Sequence, residues 1–234
     1  MGRILILYDN RTDRDSLIRG WGFSALIEQG DRRTLFDAGA DRLVMQHNAH
    51  VLGVDLSQVN ALVFSHEHCD HIGGMFSVLS RGLSVFCPTS FSRTYQKALH
   101  KETGALQLVS KSVEISPGIL STGVLGTTIK EQALIIQGRE GPILITGCAH
   151  PGIVKICGAA QDIAGTSLQL VLGGFHFYRS KEQKVRGEIE SLKDIHINRI
   201  APCHCTGDGA MALLRNAFGE TFLEIKAGTE IVIE

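Results

Sequence analysis

The stretch "SHEHCDHIGG" at Ser65–Gly74 places three histidines and one aspartate within six positions. It follows the apolar run "ALVF", which predicts a buried strand. Residues two apart in an extended segment point to the same side, so His66 and His68 can aim their imidazoles at one point. Asp70 and His71 fall where the chain is expected to turn before two glycines, and they can face a second point nearby. Imidazole and carboxylate donors favour zinc, iron or manganese over calcium, so the stretch predicts a site for two divalent metals.

The remaining ligands are expected at the ends of other strands, since one segment cannot complete two coordination spheres. Three later strand-like runs end in metal-competent side chains: "ILITGCAHPG", "LVLGGFHF" and "RIAPCHCTG". A single histidine at a strand end is more often a structural residue than a ligand. The H-x-H-x-D-H stretch reverses that expectation, because four metal-competent groups in six residues have no packing purpose. The candidates are Cys148, His150, His176 and His204.

The composition bounds the class of protein. A chain of 234 residues with 44% hydrophobic side chains can bury one large core, so a single domain over residues 1–234 is expected. The net charge of -1 gives no general attraction for nucleic acid or an anionic membrane. No run reaches membrane-spanning length, and the N-terminal apolar run is too short for a signal peptide. We therefore expect a cytoplasmic protein whose partner is a small-molecule substrate, with no nucleic acid and no membrane.

The six cysteines are scattered without a framework spacing, so reduced thiols are expected. Any special role for a cysteine would be ligation or redox chemistry. Cys203 and Cys205 flank His204 in the sequence and are expected to point away from the metals.

Short β-rich runs alternate with helical patterns along the chain, which predicts a layered α/β or α+β architecture. The predicted strands are "RILILY", "FSALIE", "RTLFD", "ALVF", "LSVFC", "LQLVS", "ALIIQ", "PILIT" and "LQLVLGG". The predicted helices are "DRLVMQHNAHVLG", "SFSRTYQKALHKE", "GIVKICGAAQDIA", "SKEQKVRGEIESLKDI" and "GDGAMALLRNAFG".

The motif "HEHCDH" followed by "IGG" resembles the H-x-H-x-D-H signature of the metallo-β-lactamase superfamily. The resemblance extends over nearly the whole chain and implies that family's fold, a four-layer αββα sandwich with the metals at one edge of the two sheets. The segment "LFDAG" at Leu35–Gly39 is similar to the family's early strand and turn. That similarity implies that Asp37 does not bind a metal itself but supports the residues that do.

A narrower resemblance rests on "YDN", "WGFSALIE", "TGCAHPGI", "GGFHF" and "PCHCTG". Together these segments resemble the subgroup named for 7,8-dihydropterin-6-ylmethyl-4-(β-D-ribofuranosyl)aminobenzene 5'-phosphate synthase, an enzyme of methanopterin biosynthesis. The resemblance implies that His66 and His68 bind one metal, that Asp70 and His71 bind the other, and that two distal ligands come from later strands. The resemblance implies that those distal ligands are His150 and His204.

Cys148 departs from the family pattern. Relatives with two metals usually carry a bridging aspartate on a later strand, and Cys148 in "TGCAH" occupies the place where that carboxylate is sought. Either a thiolate bridges the metals, or His150 and His176 complete the coordination without a bridge, or only one site fills tightly. A thiolate favours softer metals, so Zn2+ is the first expectation, with Mn2+ or Fe2+ as alternatives.

A site of this kind serves two reaction classes. Its metals can activate water to hydrolyse an ester, phosphoester or lactone, with Asp70 orienting the water. They can instead stabilise a departing diphosphate, which is the chemistry of a pterin-transferring synthase. A mononuclear iron dioxygenase is the remaining alternative within the family.

Four residues outside the ligand set are candidates for substrate binding. Trp21 and Phe23 can offer an aromatic surface to a flat group such as a pterin, although core packing is the more frequent use. Lys155 and Arg179 follow candidate ligands in the sequence and can meet a phosphate, although either can equally be an ordinary solvated cation.

Overall fold

A computed structural model describes residues 2–233 of the protein and shows two compact units. Unit 1 comprises residues 2–110 and 226–233, and unit 2 comprises Lys111–Ile225. Each unit is built on one mixed β-sheet with helices packed against it. The expectation of a single domain over the whole chain stays a prediction.

Unit 1 contains a seven-stranded sheet. Its strands are β1 (Gly2–Tyr8), β2 (Ser24–Gln29), β3 (Arg32–Phe36), β4 (Ala61–Val63), β5 (Ser84–Pro88), β6 (Leu106–Val109) and β13 (Glu230–Ile233). The spatial order is β13-β1-β2-β3-β4-β5-β6. The pairs from β13 through β3 are antiparallel, and the pairs from β3 through β6 are parallel. The helices are α1 (Arg42–Val51), α2 (Cys69–Ile72) and α3 (Arg93–Thr103).

The longer helices of unit 1 begin at side-chain caps. The Asp41 carboxylate accepts hydrogen bonds from Leu43 N at 2.8 Å and Val44 N at 3.0 Å at the start of α1. Met45 on α1 is fully buried and packs in one core cluster with Leu35 of β3. This burial fixes the helix against the sheet and so fixes the loop that precedes it.

The parallel pairing of β3 with β4 positions the histidine stretch. Phe36 and Val63 are partners in the register, and Asp37 N donates to Val63 O at 2.9 Å. Because parallel strands end at the same edge of a sheet, the residues that follow β3 and β4 lie side by side. Asp37 follows β3, and the histidine stretch follows β4.

Unit 2 contains a six-stranded sheet with the order β12-β11-β10-β9-β8-β7. Its strands are β7 (Lys111–Ser116), β8 (Ile119–Gly123), β9 (Leu134–Ile136), β10 (Ile143–Thr146), β11 (Leu170–Gly174) and β12 (Arg199–Cys203). Its helices are α4 (Ile153–Ala164), α5 (Glu182–Asp194) and α6 (Asp208–Phe218). The strands β10, β11 and β12 run parallel, so the three segments that follow them share one edge of the sheet. Those segments carry the candidate ligands of the second half of the chain.

A separate apolar cluster forms the core between this sheet and its helices. Leu144, Val171 and Ile200 from the three parallel strands are fully buried in it, together with Ile156 of α4 and Leu192 of α5. The crossover helices between parallel strands therefore bury their apolar faces on the sheet, as such connections require.

The predicted strand and helix runs are all present, with ends that differ by a few residues. The strands β7, β8 and β13 and the four-residue helix α2 were not predicted. The sequence of β7, "KSVEIS", is mostly exposed or half-buried, so it lacks a continuous apolar signal. Among residues 2–233, no helix combines the length and the hydrophobicity needed to cross a bilayer.

Candidate metal centre

The ligand candidates of unit 1 lie close together. The ring centroids of His66 and His68 are 4.5 Å apart, and those of His66 and His71 are 4.3 Å apart. The Nε2 atom of His71 lies 3.7 Å from Asp70 Oδ2. Four side chains able to bind a metal therefore converge at the end of β4, and His66 and His71 are buried there.

The backbone of this segment differs from the expected turn. Residues Cys69–Ile72 form a single turn of α-helix, with His68 as its extended N-cap. A Cβ on Gly73 would lie 2.0 Å from Ala40 O, and one on Gly74 would lie 2.1 Å from Ala38 O. Because glycine has no Cβ, the two glycines allow this helix to lie close to the neighbouring loop, where a side chain would clash.

Asp37 supports this cluster through hydrogen bonds that its carboxylate accepts. Its carboxylate is completely buried, and its Oδ1 accepts a hydrogen bond from Ser65 N at 2.7 Å. Its Oδ2 accepts from Ser65 Oγ and from His71 Nδ1, each at 2.7 Å. A carboxylate on Nδ1 fixes the imidazole tautomer and makes Nε2 a better metal ligand.

Ser65 extends the same network to a second histidine and was not predicted as a site residue. Its hydroxyl has one proton, which it donates to the Asp37 carboxylate, so Ser65 Oγ accepts from His66 Nδ1 at 2.8 Å. His66 is thereby set as the tautomer with its proton on Nδ1 and its lone pair on Nε2. The position directly before the first histidine of the motif is the signal that points to Ser65.

Glu131 has the corresponding role in unit 2 and was also missed. Its buried carboxylate accepts from Cys148 N at 2.8 Å and Ala149 N at 3.0 Å through Oε1. Through Oε2 it accepts from the backbone N and the Nδ1 of His150, each at 3.0 Å. One carboxylate therefore holds the whole turn after β10 and also sets the tautomer of His150. Nothing in "KEQAL" distinguishes this acid from a solvated one.

Several residues at these strand ends have left-handed backbone conformations. The φ values are 57° at Asp37, 60° at Ala149, 54° at His176 and 47° at His204. A non-glycine residue in this region costs about 1–3 kcal/mol and persists only where the surroundings enforce it. Such strain clusters at functional sites, and here it accompanies the candidate ligands.

Three ligand atoms of unit 2 form a compact group. The side chains of Cys148, His176 and Cys205 each place one ligand atom within 4.8 Å of the others. Cys148 and Cys205 are buried, and His176 is exposed. The expectation that Cys205 points away from candidate ligands is therefore wrong, because a turn of 3-10 helix at His204–Thr206 replaces the alternation of an extended strand.

The thiols of unit 2 differ in acidity. Burial raises the pKa of Cys205, but hydrogen bonds with Cys148 and His176 outweigh burial and lower its pKa to about 7. Burial alone raises the pKa of Cys157, which lies in α4 away from this group. The polar surroundings of Cys205 thus favour its thiolate form.

The other candidate ligands of unit 2 are also at strand ends. The His150 ring centroid lies 4.3 Å from that of His176. His204 follows β12 and is buried to 6% exposure. All the ligand candidates of this unit therefore follow the carboxyl ends of the parallel strands, where the sequence analysis expected them.

The four substrate-binding candidates have different environments. Phe23 is fully buried and packs edge-to-face on Phe36 with centroids 6.5 Å apart, so the expectation that it offers an aromatic surface is corrected. Trp21 is 48% exposed and presents an aromatic surface to solvent. Lys155 is exposed on α4, and the Arg179 guanidinium stacks 4.9 Å from the ring centroid of Tyr178.

The donor set of both clusters fits divalent transition metals. Histidine nitrogens, a carboxylate and thiols are the donors that zinc, iron and manganese accept, whereas calcium requires oxygen ligands. The carboxylates behind His71 and His150 orient imidazoles in the manner usual for metal ligands.

Comparisons with known proteins agree with this chemistry. Residues 32–118 match the family described as "Beta-lactamase superfamily domain". The 7,8-dihydropterin-6-methyl-4-(beta-D-ribofuranosyl)-aminobenzene-5'-phosphate synthase of Methanocaldococcus jannaschii is 25% identical over 258 residues, which cover 88% of this chain and 88% of that protein. The uncharacterized protein MJ0448 of the same organism is 26% identical over 247 residues, covering 90% of this chain and 93% of that protein.

The fold is shared with a solved structure along the full length. The crystal structure of Tm1679, a metal-dependent hydrolase of the beta-lactamase superfamily, matches with a TM-score of 0.83 and 25% sequence identity. The match covers 100% of this chain and 99% of that one. The chain therefore has the α/β fold of the metallo-β-lactamase superfamily, and both predicted resemblances, to that superfamily and to its ribofuranosylaminobenzene-phosphate synthase subgroup, are confirmed.

Proposed function

We propose that the protein is a metal-dependent hydrolase that acts on a small substrate bearing a phosphate or an ester. The observation that carries the proposal is the network of Asp37, Ser65 and two histidines. Asp37 and Ser65 engage the Nδ1 atoms of His71 and His66, which leaves Nε2 as the coordinating atom of both rings. A buried network that fixes two imidazole tautomers at one strand end is what a metal site requires and what a packing role does not.

The proposed centre contains two divalent ions, with Zn2+ as the first candidate. Its candidate ligands are His66, His68, Asp70 and His71 in unit 1 and Cys148, His150, His176 and His204 in unit 2. The support is the donor chemistry within each unit and the resemblance to the superfamily. Divalent ions bound by such donors lower the pKa of coordinated water and stabilise negative charge on a leaving oxygen. Asp70 orients the attacking water in this scheme, and Asp37 keeps the imidazole of His71 in place.

A transferase reaction is the second candidate, and the similarity to the Methanocaldococcus synthase favours it. In that reaction a dihydropterin-methyl diphosphate would donate its alkyl group to a ribofuranosylaminobenzene phosphate, and diphosphate would leave. The exposed ring of Trp21 is a candidate aromatic surface for a flat pterin, and the exposed Lys155 and Arg179 are candidate phosphate contacts.

The test measures metal content and activity in the same preparations. Elemental analysis counts ions per chain in the wild type and in His68→Ala, and a chromogenic phosphodiester reports hydrolysis. His100→Ala is the matched control, because His100 is exposed on α3 of the same unit. We expect His68→Ala to lose metal and at least about 100-fold in rate, and His100→Ala to behave as the wild type.

The two reaction classes separate by product. Release of diphosphate that depends on the aminobenzene acceptor would favour the transferase, and turnover of the phosphodiester alone would favour the hydrolase. Full metal content in His68→Ala would contradict the proposed ligand set. A single iron per chain with no hydrolysis would overturn the dinuclear hydrolase in favour of an iron dioxygenase.

A further inference from the structure

The loop between β1 and β2 is much longer than the pairing of these strands requires. The two strands are antiparallel neighbours, and such pairs are commonly joined by about 2–5 residues. Here residues 9–23 make the connection without a helix or a strand. Loops of this length in a compact unit usually have a function. The segments "YDN" and "WGFSALIE" flank this β1–β2 loop, and the metal centre gives "YDN" no role.

Hydrogen bonds close the β1–β2 loop at its base. Asn10 Oδ1 accepts from Gly22 N at 3.1 Å, and Asp9 O accepts from Gly20 N at 3.2 Å. Gly20 and Gly22 are the two neighbours of Trp21. The backbone on both sides of the tryptophan is therefore bonded to the start of the loop.

The far side of the loop is fastened to α1. Asn48 is fully buried, and its Oδ1 accepts from Ile18 N at 2.9 Å. Its Nδ2 donates to Ile18 O at 2.9 Å and to Leu7 O at 3.0 Å. His47 Nε2 donates to Ser16 O at 2.8 Å. One buried amide thus joins the loop, the helix and strand β1, which holds the loop in a defined conformation.

The same loop contacts the backbone of the histidine stretch. Phe23 N donates to Asp70 O at 3.2 Å. A Cβ on Gly22 would lie 2.6 Å from that same carbonyl oxygen, so only glycine allows this approach. Trp21 is therefore one residue away from a contact with Asp70, and its side chain is 48% exposed.

We propose that the β1–β2 loop is a preformed recognition loop in which Trp21 contacts a flat aromatic ring of the substrate. Asn10 and Asn48 are positioning residues, because they act on the substrate through Trp21. The substrate class is a phosphate ester that carries an aromatic ring. This inference rests on the proposed function, since the metal centre is assigned the phosphate.

A loop that is ordered before the substrate arrives increases the affinity that one ring can supply. Contacts between aromatic rings stabilise beyond the area that they bury. A mobile loop would lose conformational entropy on binding, which would offset that gain. The hydrogen bonds of Asn10 and Asn48 reduce this loss, because they hold the loop in the free protein.

The experiment compares two phosphonates that differ in an aromatic ring. The ligands are 4-nitrobenzylphosphonate and methylphosphonate, which resist hydrolysis, and the protein is the full-length, zinc-loaded chain. Isothermal titration calorimetry gives both affinities. Trp21 is the single tryptophan of the chain, so quenching of its fluorescence by the nitrobenzyl group reports this loop alone. We expect the aromatic ligand to bind roughly 3- to 10-fold more tightly than methylphosphonate.

Variants at Trp21 and Asn10 test the contact and its positioning. Trp21→Leu should reduce the affinity for 4-nitrobenzylphosphonate to about that for methylphosphonate, while Trp21→Phe should retain part of the difference. Asn10→Ala should lower the affinity for the aromatic ligand alone. Asn60→Ala is the matched control, because Asn60 Oδ1 accepts from the backbone N of Arg33 at 2.8 Å elsewhere in unit 1. It should leave both affinities unchanged.

The outcomes separate this proposal from the hydrolytic function. Equal affinity of the wild type for the two phosphonates, or an unchanged preference in Trp21→Leu, would overturn the recognition loop even in an active hydrolase. An intact preference without any hydrolysis would overturn the hydrolase alone. An equal loss of affinity for both ligands in Asn10→Ala would refute its positioning role, and thermal unfolding checks that this variant is folded.

Discussion

Glu131 accepts two hydrogen bonds from His150 through one oxygen, from the backbone N and from Nδ1, each at 3.0 Å. The same carboxylate binds the amides of Cys148 and Ala149 through its other oxygen. A residue outside the ligand set therefore determines both the path of the ligand turn and the orientation of its imidazole.

Glu131→Gln should destabilise the protein. The amide group of glutamine has one acceptor oxygen where the carboxylate has two, so buried N–H groups of the turn lose partners. We expect the free energy of unfolding to fall by about 1.5–3 kcal/mol in denaturant titrations. Glu140→Gln is the control, because Glu140 is exposed and its carboxylate accepts a 3.2 Å hydrogen bond from Gln169 at the surface. Equal stability of the two variants would mean that the turn does not depend on the carboxylate.

Asp37→Asn should weaken metal binding. Asparagine presents an NH2 group toward donors that now meet a carboxylate, so the His71 ring loses its fixed orientation. We expect metal affinity to fall roughly 10- to 100-fold, measured by competition with a chromophoric chelator. Asp55→Asn is the control, since Asp55 is an exposed acid that accepts hydrogen bonds from Ser57 at the start of a separate 3-10 helix. Unchanged affinity in Asp37→Asn would contradict the role assigned to this carboxylate.

Glu28 should make stability depend on pH in the acid range. Burial raises the pKa of Glu28, but hydrogen bonds from Arg33 and Arg3 on the neighbouring strands outweigh it and hold the pKa below its ordinary value. A lowered folded-state pKa gives stability that is present above the unfolded value and is lost as the pH falls through the folded value. The stability advantage of the wild type over Glu28→Gln should therefore be largest near neutral pH.

That advantage should shrink as the pH falls below about 4.5, measured by denaturant titration at several pH values. Glu190→Gln is the matched control. The Glu190 carboxylate pairs with Lys193 Nζ at 3.5 Å on an exposed helix face. That variant should differ little from the wild type at any pH, because exposed pairs contribute about 0–1 kcal/mol. If the difference in the free energy of unfolding between the wild type and Glu28→Gln stayed constant across the acid range, the lowered pKa of Glu28 in the folded protein would be refuted.

Gly174→Ala and Gly158→Ala should shift stability in opposite directions. The alanine methyl at position 174 meets Gly147 O and the Cys205 sulfur at less than 3 Å, so the backbone must move. Gly158 lies inside α4, and an alanine methyl there would have no neighbouring atom within 4 Å, so the substitution should stabilise the helix by about 0.5–1 kcal/mol. Thermal unfolding compares the two variants, and a stable Gly174→Ala would show that the space beside the sulfur is not restricted.

The sequence predicted the elements that carry strong local signals. The histidine stretch after β4 and the three ligand segments after β10, β11 and β12 were located by their position at strand ends, which depends only on neighbouring residues. Glu131 was missed because its role depends on contact with a turn 17 residues away, and its own neighbours carry no motif. Cys205 was assigned the wrong direction because alternation holds in strands and fails where the chain forms a helical turn.

The two supporting carboxylates, Asp37 and Glu131, lie outside the loops that carry the candidate ligands. Asp37 lies directly after β3, and Glu131 lies close before β9, so both are placed by the sheets and not by the ligand loops themselves. Loops elsewhere at the same edges can therefore change in length and composition while the orientation of the imidazoles is retained. Selection for a new substrate can act on those loops with little effect on metal affinity, which makes the two properties separable in evolution and in engineering.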